Sequence, residues 1–253
     1  MNALTYGHDS EYVLSQGGVY LSALEVLPFV ENEYGRIFPD NLNAEIAINP
    51  VTTLKEFHTN TVGLLKVSED MGFTNEYLPS VVYPESCLSN PDAFISGCNP
   101  DHDGYTMQEN VAPDFANMDG TRSCGAHVHA SIADLGLDPF SYARWFDIYA
   151  ALPLLFHEAP NTRRSLYGAA GCLRVKEYGV ECRTLSNVWI HTEEKREFVW
   201  EAAHKAVEAT QQMDPDMVDG WQDVQRAINT HDLDLAKQCI DRLYIYGVEV
   251  LPL

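Results

Sequence analysis

The chain has 253 residues, 45% apolar and 21% charged, enough to bury the core of one large domain, and no apolar run reaches membrane-spanning length. Its 37 acidic against 16 basic residues give a formal charge of −21, which repels polyanionic backbones and argues against duplex nucleic acid as a partner. Six cysteines without a CxxC read as reduced thiols. The start MNALTYGHDSEY lacks the basic and apolar segments of a signal peptide, so a cytoplasmic protein is expected. A chain this acidic that handles phosphate has to gather its arginines in one place.

Residues 4–15 (LTYGHDSEYVLS) alternate as a strand, QGG at 16–18 is a turn, and residues 19–23 return. NAEIAINP at 43–50 alternates again as a third strand. From Thr53 to Met71 the apolar spacing predicts a helix that Gly72 ends, and residues 73–83 predict another strand. Residues 84–121, with Pro84, Pro91, Pro100 and Pro113, form a long loop of the kind that often carries function. Residues 123–132 (SCGAHVHASI) predict a strand. Asp138 and Pro139 then open a largely apolar, buried helix with a kink near Pro153. Residues 172–186 form a hairpin turning at Tyr178 and Gly179. The region 191–253 is helical, with Thr192, Asp219 and Asp232 as N-caps. The expected architecture is one α+β domain over 1–253, with a core at 6–190 and C-terminal helices at 191–253.

Chemistry concentrates in four stretches. RSCGAHVHAS at 122–131 looks at first like a zinc or iron motif, but side chains on a strand alternate, so Gly125, His127, His129 and Ser131 share a face that Cys124 does not. The same alternation puts Asp9 and Glu11 on one face, and Glu45 stands alone in an otherwise apolar strand. An exposed sheet face accounts for each acid separately. Their joint occurrence favours a divalent-cation cluster, because like charges buried together need a neutralising ion. Oxygen ligands with one or two histidines suit magnesium or manganese. Arg163, Arg164, Arg174 and Arg183 fall within one short run, with Lys176 on the face of Arg174 and Glu181 on that of Arg183. This is the basic focus a phosphate-handling protein needs, although Arg163 and Arg164 also suit surface ion pairs in so acidic a chain.

These blocks resemble the glutamine synthetase-like carboxylate–amine ligases. That family carries GxExEF, QxEI, GxHxHxS and RxExR strands in order, and here GHDSEY, NAEIAI, GAHVHAS and GVECRTLSN follow in the same order. The compact phage-type (type 2) branch is closer still. Its GCxPDxxAYT, RxAGGHxHxG and RRxxYGxAGxxRxKxYGxExRTLSN compare with GCNPDHDGYT, RSCGAHVHAS and RRSLYGAAGCLRVKEYGVECRTLSN.

The resemblance implies a curved antiparallel sheet backed by helices, ATP with magnesium or manganese between acidic strands, and a carboxylate and an amine, small-molecule or peptide, as substrates. By position, Glu11 and Glu45 look like ligands of the substrate-side metal, and Asp9, His127 and Glu181 like those of the metal bridging the nucleotide phosphates. His129 and Ser131 match residues close to ATP, and Arg164 and Lys176 join them as candidate nucleotide contacts. Arg174 and Arg183, which match arginines facing phosphate and substrate carboxylate, form with Glu181 the candidate catalytic set. Asp9 replaces the usual glutamate and is one methylene shorter. The N-terminal domain that supplies the amine-side base in glutamine synthetase is expected to be absent, which leaves that base unassigned. If the chain is phage-encoded, the expected location is the host cytoplasm, and an oligomer is compatible with all of this. Two other readings stand beside the ligase: a cupin-like iron or manganese oxygenase built on HxH, and a non-catalytic protein on a ligase fold.

Overall fold

A computed structural model describes residues 3–94, 101–111 and 119–253. Residues 97–100 of the GCNPDHDGYT block, and residues 95–100 and 112–118 of the long loop, lie outside the described residues. A long strand, β1 (Tyr6–Gln16), occupies the centre, and β2 (Val19–Leu21) folds back on its end. A single turn, α1 (Ala23–Val26), leads to β3 (Val30–Asn32) and β4 (Gly35–Asp40), a hairpin the sequence pattern did not announce. Then come β5 (Asn43–Ile48), α2 (Leu54–Asp70), β6 (Thr74–Glu76) and β7 (Ser80–Val82). Helix α2 is capped by Thr53, whose Oγ1 accepts from the Glu56 amide at 3.2 Å. The strand expected over 73–83 is two pieces, with β6 paired to β1 and β7 paired to β9.

The remaining strands are β8 (His102–Asp103), β9 (Thr121–Ser123), β10 (Ala126–Ala130), β11 (Cys172–Lys176) and β12 (Gly179–Cys182). The expected strand over 123–132 thus divides at Cys124 and Gly125. The main sheet runs β3-β4-β5-β1-β10-β12-β11-β8, antiparallel throughout, with β2 and β6 on the far half of β1. Its terminal strands β3 and β8 do not join, so the sheet is a single open layer and not the two-sheet jelly roll of a cupin.

Alternation gives the sheet two unlike faces. On one, Tyr6, Tyr12, Ile46, Val128 and Val180 are buried in the main core beneath α2, α3 and α6. His8 lies on this face too, with both ring nitrogens 2.8 Å from hydroxyls of Ser10 and Thr61, a satisfied core histidine. The opposite face carries the acids and imidazoles. Beyond Glu11 on that face, Val13 packs with Leu42, Val81, Tyr83 and Cys124 in a second apolar cluster, where the β7–β9 pair covers the end of the sheet.

Helix α3 (Pro139–Phe146) begins at Asp138, whose side chain accepts from the Ser141 amide at 2.7 Å. It widens into a π turn over Asp147–Ala151 before α4 (Leu152–Leu154). The kink expected at Pro153 is therefore this turn, one step upstream, because proline offers no N–H to the carbonyl four residues back. After α5 (Arg163–Leu166) and the β11–β12 hairpin come α6 (Glu193–Gln212), α7 (Trp221–Thr230) and α8 (Leu233–Ile245). Thr192 and Asp232 cap α6 and α8 as expected, whereas α7 starts from Gly220 in a left-handed conformation, φ 77°, and not from Asp219. No helix among the described residues is long and apolar enough to cross a membrane.

The π turn aims Asp147 at the sheet. Its Oδ2 accepts from the Gly171 amide at 2.5 Å and from the Tyr105 hydroxyl at 3.2 Å, tying the entry to β11 and the loop after β8 to the helix layer. Burial pushes the Asp147 carboxyl up to about 7, against hydrogen bonds from Thr184, Gly171 and Tyr105 that favour the charged form. The unfolded chain releases this proton near pH ~4 and the folded protein holds it until about 7, so stability falls as pH rises through that window. Asp147→Asn is expected to shrink the drop in thermal midpoint between pH 5 and pH 8 relative to wild type. An unchanged drop would assign the titration to another group.

Candidate active site

The register of β1 assembles the polar face. Asp9 pairs with His127 across the β1–β10 ladder and Glu11 with Glu45 across β1–β5. His129 pairs with Glu181 across β10–β12, and Glu181 with Arg174 across β12–β11. Directly opposed side chains on one face lie close enough to interact, so four consecutive ladders yield one continuous polar strip.

The strip has two carboxylate groups. In the first, Asp9 Oδ1 lies 2.8 Å from His127 Nδ1 and Asp9 Oδ2 lies 3.1 Å from His129 Nε2. Glu181 Oε1 is 3.7 Å from His127 Nδ1. Burial opposes ionisation of Asp9, yet the two imidazoles bonded to it hold its carboxyl well below the usual range. Burial lowers the affinity of His127 for a proton, against the pull of Asp9. Oxygen and nitrogen atoms of Asp9, His129 and Glu181 lie within 4.8 Å of one another.

In the second group, one oxygen each of Glu11, Asp40 and Glu45 lie within the same 4.8 Å. Burial and then the Asp40 charge push Glu11 up to about 8, against the Gly125 amide that donates to its Oε2 at 2.7 Å. Burial also raises Glu45 well above the usual range, reinforced by Asp9, Asp40, Glu11 and Glu181, all of them acids. Three carboxylates that face one another, two of them with proton affinities raised by burial, are a donor set suited to a hard divalent cation. The first group, with an imidazole among its oxygens, suits magnesium or manganese likewise.

The cationic side chains converge on Glu181, which is almost fully buried. Lys176 Nζ is 2.8 Å from Oε2, while Arg183 Nε and Arg174 Nη1 are 3.1 and 3.5 Å from Oε1. Arg183 also reaches Asp101 Oδ2 at 2.9 Å, and that same oxygen accepts from the Cys172 thiol at 3.1 Å. Arg163 is fully buried behind the strip and donates to the carbonyls of Thr184 at 2.7 Å and Arg183 at 3.0 Å, fixing the chain beyond β12. Burial, then the neighbouring Arg164 charge, lowers it to about 10, still a cation at neutral pH.

A cavity of about 430 Å³ opens at one end of the strip, lined by Asp9, His129, Ser131, Tyr178 and Arg36, with the backbone of residues 5–8 behind. Ser131 Oγ accepts from the Thr5 amide at 2.7 Å, which holds the two strand ends together there.

The geometry brings together Asp9, Glu11, Glu45, His127, His129, Arg174, Lys176, Glu181 and Arg183, with Ser131 at the rim. It places Arg164 elsewhere, 3.2 Å from the buried carboxylate of Glu158. It groups His129, as well as His127, with Asp9 and Glu181. Cys124 is buried in the second apolar cluster. Asp40, Asp101 and Tyr178 are additions to which sequence reasoning assigned no role, although the last two fall on letters of the family motifs. Asp40 sits in FPDNLN, where Pro-Asp-Asn reads as a turn, and only the β4–β5 register turns it toward Glu45.

Fold and site together define an α+β protein with an open antiparallel sheet whose polar face is rich in carboxylates. A family described as Phage phiEco32-like COOH.NH2 ligase-type 2 matches residues 117–244, about half the chain and all of β10, β11 and β12. The chain belongs to this carboxylate–amine ligase family. No curated protein matches it by sequence.

The carboxylate groups carry a testable cost. Glu45→Gln removes a buried acid whose ionisation burial and its acidic neighbours oppose, and is expected to raise the thermal midpoint at pH 8 in the absence of divalent cations. Millimolar Mn²⁺ should raise the midpoint of the wild type, by about 2.7 kcal/mol of stability at a hundredfold excess over Kd, and that of the variant by less. A variant less stable than wild type without cations would show that Glu45 is satisfied by the protein itself.

Proposed function

We propose that the protein joins a carboxylate to an amine with hydrolysis of ATP to ADP and orthophosphate, through an acyl phosphate. A carboxylate oxygen of the first substrate attacks the γ-phosphorus and ADP leaves. The neutral amine then attacks the acyl carbon, orthophosphate leaves with the former carboxylate oxygen, and the nitrogen loses a proton. One observation supports this reading above others: a single sheet face sets two carboxylate groups beside Arg174, Lys176 and Arg183.

Phosphoryl transfer asks chiefly for positioning and charge neutralisation, and these residues divide that work. Arg174 and Arg183 present planar donors to the transferring phosphoryl group and the substrate carboxylate. Lys176 adds a point charge. His129 and Ser131 line a cavity whose size falls in the range of small-molecule sites and which suits the nucleotide. Asp9, Glu181 and the HxH imidazoles would hold one magnesium or manganese ion and Glu11, Asp40 and Glu45 another. Such ions would supply charge neutralisation at the phosphates.

The test is amine-dependent release of ADP with Mg²⁺, screening carboxylates with hydroxylamine as a general amine, which also traps an acyl phosphate as a hydroxamate. Glu181→Gln and His127→Ala are each expected to lower the rate at least about a hundredfold, the scale of losing one preorganised electrostatic group. Their circular dichroism should stay unchanged. Full activity in both variants would remove these residues from the mechanism, and ADP release that no amine accelerates would remove the ligase reading.

A further inference from the structure

Of the imidazoles on the polar strip, His129 has a neighbour, Tyr178, to which the motif comparison assigns no role. Its Nε2 faces Asp9 Oδ2 at 3.1 Å, and its Nδ1 lies 2.5 Å from the hydroxyl of Tyr178. Tyr178 comes from the β11–β12 turn and not from a strand, so sheet register alone does not deliver it. The turn is built onto β10. Gly179 has φ 149°, and a side chain there would come within 2.4 Å of the Ala130 carbonyl. The Tyr178 carbonyl accepts from the Ala133 amide at 3.0 Å. The turn therefore lies directly against the strand end that carries His129, and the phenol reaches back along it.

We propose that Tyr178 is a positioning residue for His129 that holds the ring in the orientation needed to bind a divalent cation through Nε2 and accommodates the change of tautomer that binding requires. The inference rests on reading Asp9, His129 and Glu181 as a cation set. A neutral imidazole has one protonated nitrogen, and the partner of the other decides which. With Nε2–H donating to Asp9, Nδ1 is an acceptor and the phenol donates to it. For Nε2 to offer its lone pair to a cation, the proton must sit on Nδ1, and the phenol oxygen then accepts from it. A hydroxyl serves both states by rotating about its C–O bond, whereas a carbonyl or a lysine serves one. Residues that orient a ligating histidine from its far nitrogen typically contribute about 10–100-fold in metal affinity.

Mn²⁺ titration followed by the electron paramagnetic resonance of the free ion, without nucleotide, tests this. The second carboxylate group is measured separately in Glu181→Gln and subtracted. Tyr178→Phe keeps the ring and removes only the hydroxyl, and its fold is checked by thermal midpoint. The expected result is Mn²⁺ affinity about 10–100-fold weaker at the first group, with no further loss when Tyr178→Phe is added to His129→Ala. Wild-type affinity in Tyr178→Phe would overturn the inference and leave the cation set standing, as would a loss of equal size in the His129→Ala background. A wild-type protein that takes up no Mn²⁺ at the first group would overturn the cation set and this inference together. If Tyr178→Phe binds Mn²⁺ normally while Tyr178→Leu weakens an ATP analogue, the ring serves the nucleotide instead, and the positioning role is rejected.

Discussion

The register of β1 is the constraint on which the rest depends. Its apolar side chains, Tyr6, Tyr12 and Leu14 with Ile46 and Val128 beside them, can be buried against the helices in one alignment only. A slip by one residue would send that set to the opposite face. Once the core has fixed the alignment, Asp9 must oppose His127 and Glu11 must oppose Glu45. The energy that holds the acids together comes from the far side of the sheet. The carboxylates contribute repulsion and desolvation, and they are tolerated because the apolar face is large and continuous.

The two halves of the strip meet that electrostatic cost differently. Asp9 is bracketed by imidazoles and Glu181 by Lys176, Arg174 and Arg183, so both have protein partners. Glu11 has a backbone donor, Gly125, and the more distant charge of Arg163, set against burial and the carboxyl group of Asp40. Gly125 serves twice here, since a side chain on it would stand 2.5 Å from His127 Nε2. The absence of that single carbon lets the strand pass close to Glu11 while His127 keeps its place. In a chain of net charge −21, Arg163, Arg174, Lys176 and Arg183 are concentrated within twenty-one positions of sequence, and the hairpin folds three of them onto one carboxylate. The remaining one, Arg163, fixes the carbonyls beyond β12 from behind.

What could be read from the residues is what strand parity and helix caps encode locally. Alternation set Cys124 apart from His127 and His129, but the strand breaks at Cys124 and Gly125, and the thiol is buried instead among Val13, Val81 and Tyr83 on the same side of the sheet as Glu11. Asp138, Thr192 and Asp232 cap their helices because a short polar side chain ahead of an apolar period has few other uses. Features set by distant pairing escaped. Asp40 resembles a turn residue until β4 pairs with β5. The β3–β4 hairpin is short and mixed in polarity, and Tyr178 is one of many turn tyrosines until Gly179 seats it on β10. Arg163 and Arg164 are adjacent and alike in sequence, yet one is drawn behind the strip and the other to Glu158, a partner no local pattern specifies.

Glu181 ties these elements into one system. It is nearly inaccessible and receives three cationic side chains at once, one of which, Arg183, is shared with Asp101 just ahead of β8. A carboxylate that binds a divalent ion has less charge to offer a guanidinium, so under the proposed function a cation at Asp9, His129 and Glu181 would compete with Lys176, Arg174 and Arg183 for the same oxygens. Each donor displaced from Glu181 becomes available to an incoming anion at the same place. Under the proposed reaction, the ion and the phosphoryl group would then reinforce one another's binding: the ion releases the cations, and the phosphates supply the negative charge that Glu181 has ceased to provide. Coupling of this kind needs no moving domain, only a buried carboxylate with more partners than it can satisfy together.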